Sequence, residues 1–124
     1  MAKSRYTILP PDQELRSVHY WNAMCLTVPY SGYLVGTAEA KLVDDMLYLS
    51  NCEVVPRHRG FGLQRRLIHA RVRFAKKLGL EACISYTLPH VTASSNNLYR
   101  CGFKLYRPEN LWVGEEANYW IREL

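Results

Sequence analysis

The stretch of the chain best equipped for chemistry is Val54-Val55-Pro56-Arg57-His58-Arg59-Gly60-Phe61-Gly62-Leu63-Gln64-Arg65-Arg66-Leu67-Ile68. An apolar run stops at a proline, a basic loop with two glycines follows, and a helical repeat begins. That order builds an anion site. The first N–H groups of a helix have no partner inside the helix, and the helix dipole adds partial positive charge at the same end. Gly60 and Gly62 let the backbone approach a ligand with no Cβ in the way. Arg57, Arg59, Arg65 and Arg66 can add charge-assisted hydrogen bonds to phosphate oxygens. The loop contains neither GxxxxGK[ST] nor a GxGxxG after the strand, which excludes a P-loop and a dinucleotide fingerprint. The alternative is a tight strand-to-helix turn with no ligand, but turn geometry alone gives no reason for four arginines around one helix start.

The flanking sequence supplies elements to hold this loop. Residues 6–9 read as a strand ended by Pro10-Pro11, and Asp12 is placed to cap a helix over 12–24. Runs at 25–28, 33–43 and 46–55, separated by Pro29-Tyr30-Ser31-Gly32 and Asp44-Asp45, read as an antiparallel meander. Behind Pro56 the period changes: Leu63, Leu67, Ala70, Phe74 and Leu78 recur at three- and four-residue steps, and Gly79 is placed to end that helix. Residues 82–88 form a short apolar strand, 92–100 a second helix ended by Gly102, and 103–106 with 117–121 a final strand pair. The fold class is mixed α/β (α+β): a central, mostly antiparallel sheet flanked by helices, in one domain over 1–124.

The basic loop resembles the acetyl-CoA pyrophosphate loop of the GNAT N-acetyltransferases, whose pattern is [RQ]xxGx[GA]. Arg57-His58-Arg59-Gly60-Phe61-Gly62 matches it literally. Arg59-Gly60-Phe61-Gly62-Leu63-Gln64 fits the distances to Pro56 and to Leu67-Ile68 better and is the preferred register, with Gln64 where Gly or Ala is usual. The segment from Thr92 to Phe103 resembles the family's N-x-x-[AS]-x-x-L-Y-x-x-x-G-F helix, with Ser95, Leu98, Tyr99, Gly102 and Phe103 read onto it and Thr92 in place of Asn. The resemblance is good over residues 46–107 and rests only on element order before them. It implies an acyl-CoA N-acyltransferase fold and acetyl transfer from acetyl-CoA to an amine. It also implies cofactor contacts from the backbone of Val54 and Val55, from Arg57, Arg59, Gly60, Phe61, Gly62, Leu63, Gln64 and Arg65, and from Ser95. Tyr99 would hydrogen-bond the departing thiolate, with core packing as the alternative. The family's usual Glu falls near Thr87 and is missing, which leaves Glu53 as the candidate base, with His90 or ordered water as alternatives.

Composition sets the outer bounds. Sixteen basic and eleven acidic residues give a net charge of +5, which suits an anionic partner. No apolar run reaches the roughly 20 residues that span a bilayer, and no signal-peptide core follows the start, so the expected location is cytoplasmic and no membrane partner is expected. Cys25, Cys52, Cys83 and Cys101 are widely spaced and read as free buried thiols. Neither they nor the histidines form a metal-ligand pattern, and His58 and His69 read as surface or cofactor-adjacent. The acceptor is a small-molecule or protein amine whose identity the sequence does not fix; Trp112, Tyr119 and Trp120 are candidates for an acceptor pocket or a homodimer interface. Two other classes compete: a non-catalytic module that binds CoA or a partner, and a nucleic-acid-binding domain using the basic helix, less favoured because a cofactor's phosphates would already use those residues.

Overall fold

The structure, a computed structural model, describes residues 5–9, 11, 18–26 and 32–124. Strands β1 (Tyr6–Leu9), β2 (Val18–Cys25), β3 (Tyr33–Val43) and β4 (Met46–Val54) lead through a 3-10 turn at Pro56–His58 into helix α1 (Leu63–Lys77). Strand β5 (Ala82–Thr87), helix α2 (Thr92–Arg100) and strands β6 (Lys104–Tyr106) and β7 (Asn118–Glu123) complete the chain. All seven strands form one sheet in the order β1-β2-β3-β4-β5-β7-β6. Every neighbouring pair is antiparallel except β4 and β5.

The helix expected over 12–24 is not what forms. Residues 18–25 are strand β2, paired along its length with β3; the part of that expectation at 12–17 lies outside the described residues. The stretch Val18-His19-Tyr20-Trp21-Asn22-Ala23-Met24-Cys25 alternates, with His19, Trp21, Ala23 and Cys25 buried and the residues between them less so. That is a period of two, the signature of a half-buried strand. The expected strand over 25–28 and the turn at 29–32 lie mostly outside the described residues.

Helix α1 forms where its period demands, but the buried stripe is rotated from the expected one. Leu63, Leu67, Ile68, Arg71, Val72 and Ala75 are buried, Ala70 and Phe74 flank them, and Leu78 is the exposed C-cap. The helix ends in a Schellman motif: Gly79 at φ +74° donates its N–H to Lys76 O, and Leu80 N–H reaches Ala75 O. The core lies between this helix and one face of the sheet, centred on Trp21, Val35, Leu47, Leu63 and Leu67. Phe74 meets Trp21 edge-on at 5.2 Å. Leu98 of α2 joins the same cluster, so both described helices pack on one face. All four cysteines are free thiols, with Cys52 only partly buried.

Candidate functional site

Strands β4 and β5 pair over three residues only, Met46 to Ala82, Leu47 to Cys83 and Tyr48 to Ile84, and then part. Ser85 Oγ donates to Leu49 O at 2.9 Å just past the last pair. Beyond it β4 continues to Val54 with its β5-side edge open. Asn51 has no cross-strand partner, because the β3 register jumps from Ala38–Cys52 to Glu39–Ser50. This is a β-bulge, which bends the strand and re-aims its edge.

Arg71 holds the bulge open. Its side chain is 2% exposed, yet no carboxylate among the described residues pairs with it; Nη1 donates to Glu39 O and Ser50 O, both at 3.1 Å, and Nε donates to Leu67 O at 3.1 Å. Both carbonyls belong to the Glu39–Ser50 pair that flanks the register shift. Burial pushes the guanidinium pKa down, with Cys52, Cys83 and Cys101 acting in the opposite direction. Arg71 is missing from the sequence reading, although its place four residues after Leu67, on the buried stripe, marks it as a basic residue facing inward.

The opening is a continuous cleft. Its inner stretch, about 240 Å³, runs between β4 and β5 and is lined by residues including Tyr48, Ser50, Asn51, Ser85, Tyr86 and Leu98. Its outer stretch, about 690 Å³, runs past the end of β4 to the start of α1. Cys52, Gln64, Val91 and Ser94 line both. In the outer stretch Gly60 (φ +83°) and Gly62 (φ +79°) adopt left-handed conformations that L side chains avoid. Gly62 is the N-cap of α1, and the first intrahelical bond there is Arg66 N–H to Gly62 O. The N–H groups of Leu63, Gln64 and Arg65 therefore have no helical acceptor, and the first turn holds no acidic residue.

Of the residues expected to bind a cofactor, Val54, Arg59, Gly60, Gly62, Leu63, Gln64 and Arg65 line this outer stretch. The others are placed differently. Val55 N–H is committed to Val35 O in the sheet, so strand alternation puts the groups of Cys52 and Val54, not Val55, at the open edge; Val54 O accepts from Arg59 Nε at 3.0 Å. Phe61 packs on Tyr6 and under the Arg5 guanidinium, away from the cleft. Arg57 is exposed and outside the lining, which favours the register beginning at Arg59. Ser95 Oγ donates to Val91 O and accepts from Thr87 Oγ1, itself the acceptor of Trp120 Nε1–H. Ser95 and Trp120 are thus structural links between α2, β5 and β7.

Tyr99 is 72% exposed and lies outside both stretches of the cleft, whereas Leu98 is buried and lines the inner one. The reason is a count. The family pattern has three residues between its tyrosine and its glycine, and this chain has two, Arg100 and Cys101. One residue turns a helix by about 100°, so counting back from Gly102 places Leu98 where the pattern has tyrosine. Ser94, one turn earlier, is the α2 hydroxyl that faces the cleft; its Oγ accepts from Gln64 Nε2 at 3.3 Å, and Gln64 Oε1 accepts from Asn97 Nδ2. Glu53 is exposed and lines only the outer stretch, and His90 lines neither. Among the described residues no carboxylate or histidine lines the inner stretch. Ser94, Asn97 and Arg100 are cleft residues the sequence reading missed; their shared helix face is the signal, once the fold supplies the direction of the cleft.

Two histidines differ. His58, expected to be surface or cofactor-adjacent, is buried and lines the outer stretch, with Tyr6 OH 2.9 Å from Nδ1 and Tyr33 OH 2.8 Å from Nε2. A neutral ring donates at one nitrogen and accepts at the other, and the two phenols complement it, tying the loop after β4 to β1 and β3. His69 is exposed on α1; partial burial and then Arg122, Arg73, Arg65 and Lys76 push its pKa down. In the cleft, burial pushes the Cys52 thiol up more than Arg71 pulls it down, and burial with the neighbouring Tyr86 pushes the Tyr48 phenol up. Among the described residues no three His, Cys, Asp or Glu side chains gather as metal ligands, and no helix is long and apolar enough to cross a membrane.

This mixed seven-stranded sheet flanked by helices is the fold of acyl-CoA N-acyltransferases, and solved structures share it. An "IAA acetyltransferase" from Bacillus cereus superposes with a TM-score of 0.74 at 15% identity, covering 96% of this chain and 99% of that one. The PaiA N-acetyltransferase from Thermoplasma acidophilum, solved with coenzyme A, gives 0.72 at 16% identity, covering 87% of this chain and 62% of that one. NAA60 from Arabidopsis thaliana, solved with a bisubstrate analogue, gives 0.74 at 17% identity, covering 86% and 75%. No curated protein sequence matches. The sequence profile of the acetyltransferase (GNAT) family matches residues 2–103, so the chain belongs to the GNAT family of acetyltransferases.

Proposed function

We propose that the protein binds acetyl-CoA in this cleft and transfers the acetyl group directly to a primary amine of a small molecule or protein. The observation that carries the reading is the junction of the two stretches: a helix start with free N–H groups and a left-handed glycine cap opens without interruption onto the gap between β4 and β5. The fit is also chemical. Arg59, Arg65 and Arg100 surround the outer stretch, matching a pyrophosphate, and the open edge at Cys52 and Val54 offers main-chain groups to an amide-bearing arm. The solved PaiA relative carries coenzyme A.

Acetyl-CoA supplies an activated thioester. The amine nitrogen bonds to the carbonyl carbon, the carbon–sulfur bond breaks, and the CoA sulfur leaves with the electron pair and takes up a proton. The residues here bind and orient. Ser94 Oγ, on the cleft face of α2, is the hydroxyl we assign to hydrogen-bond the leaving sulfur in place of the outward Tyr99. Cys52 is held as a neutral thiol by burial, which supports direct attack over an acyl-enzyme. With no carboxylate or histidine in the inner stretch, the proton of the amine leaves through solvent.

The test is calorimetric titration with acetyl-CoA, on the wild type and on Gly62→Trp, with folding checked by circular dichroism. Micromolar binding lost in the variant supports the reading, and CoA release on adding amines completes it. A wild type that does not bind even at millimolar acetyl-CoA would overturn it.

A further inference from the structure

The sheet face away from α1 and α2 holds groups to which the acetyl-CoA reading gives no role. Side chains alternate along a strand, so the register sets Tyr20, Glu39 and Ser50 side by side on that face, with Tyr48 the next residue of β4 on the same side. The Tyr48 ring stacks on Tyr86 at 6.5 Å and meets Trp112 edge-on at 6.0 Å. Trp112 packs on Tyr119 at 4.6 Å. The Tyr119 hydroxyl accepts from Val113 N–H and donates to Gly114 O, which pins the loop carrying Trp112. Glu39 is oriented by Asn51 Nδ2, which donates to its Oε1 at 2.8 Å. Ser50 Oγ is buried and has no hydrogen-bond partner among the described residues. Tyr48, Ser50, Asn51 and Tyr86 also line the inner cleft, so this cluster forms its mouth on the open face. Lys41, the cross-strand partner of Tyr48, is exposed to solvent.

We propose that this cluster seats the acceptor, and that the acceptor is an organic ammonium carried on an apolar or aromatic arm. Glu39 is its counter-ion, Ser50 Oγ takes the hydrogen bond that the fold leaves unmade, and the rings of Tyr48, Tyr86 and Trp112 pack against the arm and the cation. The inference rests on the acetyltransferase reading for the meaning of "acceptor", but the seat itself is a property of the folded chain. Each contact favours a cation. A charge-assisted hydrogen bond is stronger than a neutral one, ring faces attract ammonium groups, and a buried hydroxyl without a partner is relieved by a donor. An anion of the same shape meets the Glu39 carboxylate and the negative ring faces, and is repelled. The amine gives up its proton before it attacks; the seat captures the amine and aims it at the gap between β4 and β5.

The test uses a matched pair of probes, phenethylammonium and phenylacetate, titrated into the full chain with and without CoA and followed by tryptophan fluorescence and NMR. Phenethylammonium should bind and phenylacetate should not. Glu39→Gln and, separately, Ser50→Ala should each weaken phenethylammonium binding by about tenfold or more, the scale of one charged hydrogen bond, and Glu39→Gln, whose side chain lies outside the cleft lining, should change acetyl-CoA affinity less than about twofold. Equal binding of the two probes, no binding of phenethylammonium at millimolar concentration, or no effect of both substitutions overturns the seat. Failure of acetyl-CoA to bind overturns the enzymatic reading instead and leaves the probe result readable by itself.

Discussion

Replacing Arg71 by methionine asks whether the bulge in β4 depends on one buried guanidinium. Methionine and arginine have similar helix propensities and similar length, so α1 itself is little affected. The substitution removes the Nη1 hydrogen bonds to Glu39 O and Ser50 O, both 3.1 Å in the native fold. Leaving two buried carbonyls unpaired costs about 1–3 kcal/mol each. Part of that is recovered because a charge without a carboxylate partner no longer has to be desolvated. The expected net loss is about 2–3 kcal/mol, or roughly 10 °C in melting temperature for a domain of this size. Urea denaturation followed by circular dichroism reads the stability. A coupled assay of CoA release reads the second consequence, a higher KM for acetyl-CoA as the β4 edge closes toward a regular ladder. A loss under about 0.5 kcal/mol, with KM unchanged, would refute the claim that Arg71 holds the bulge.

Gly62→Ala should weaken acetyl-CoA binding about tenfold: the new Cβ meets only Arg65 Nη2 at 3.7 Å, so the effect comes from a φ of +79° that alanine adopts at a cost of about 1–2 kcal/mol. Calorimetry reads it directly. Tyr99→Phe should leave kcat within about twofold because the ring faces solvent, while Ser94→Ala should lower kcat by about tenfold or more, the usual scale of a positioned proton donor. The reverse ranking would restore Tyr99 to the reaction. Burial pushes the Cys83 thiol from 9.0 up to about 11, so the fold favours its neutral form. Its contribution to stability is present below pH 9 and is lost as pH rises through 11. Urea midpoints should fall over that window in the wild type and fall less in Cys83→Ala.

Much of the fold is local in origin and so legible in the chain. Helix α1 and the glycine that ends it follow from a 3.6-residue period and from the left-handed conformation required at Gly79. The anion site at Gly62 follows from a strand, a basic loop and a helix start in immediate succession. The segment 18–25 shows the limit of such reading. His19, Asn22 and Ala23 suit a helix face as well as a strand face, and pairing with β3 decided between them.

The inner part of the cleft has no local cause. Where β4 leaves β5 depends on a register spanning residues 46–48 and 82–84, and the bulge at Asn51 depends on a helix residue, Arg71, reaching two strands at once. The direction of α2 decides that Ser94 and Leu98 face the opening and Tyr99 does not; a motif gives spacing, but one missing residue rotates a helix by about 100°. Glu39, Ser50, Tyr48, Tyr86 and Trp112 come from three strands and a loop and meet only through cross-strand pairing. The sequence by itself determined where a helix start with unpaired N–H groups meets its left-handed glycines, because these are contiguous. Only the tertiary structure decided what lines the gap between β4 and β5, because those groups are brought together by register and helix orientation over separations that no local pattern encodes.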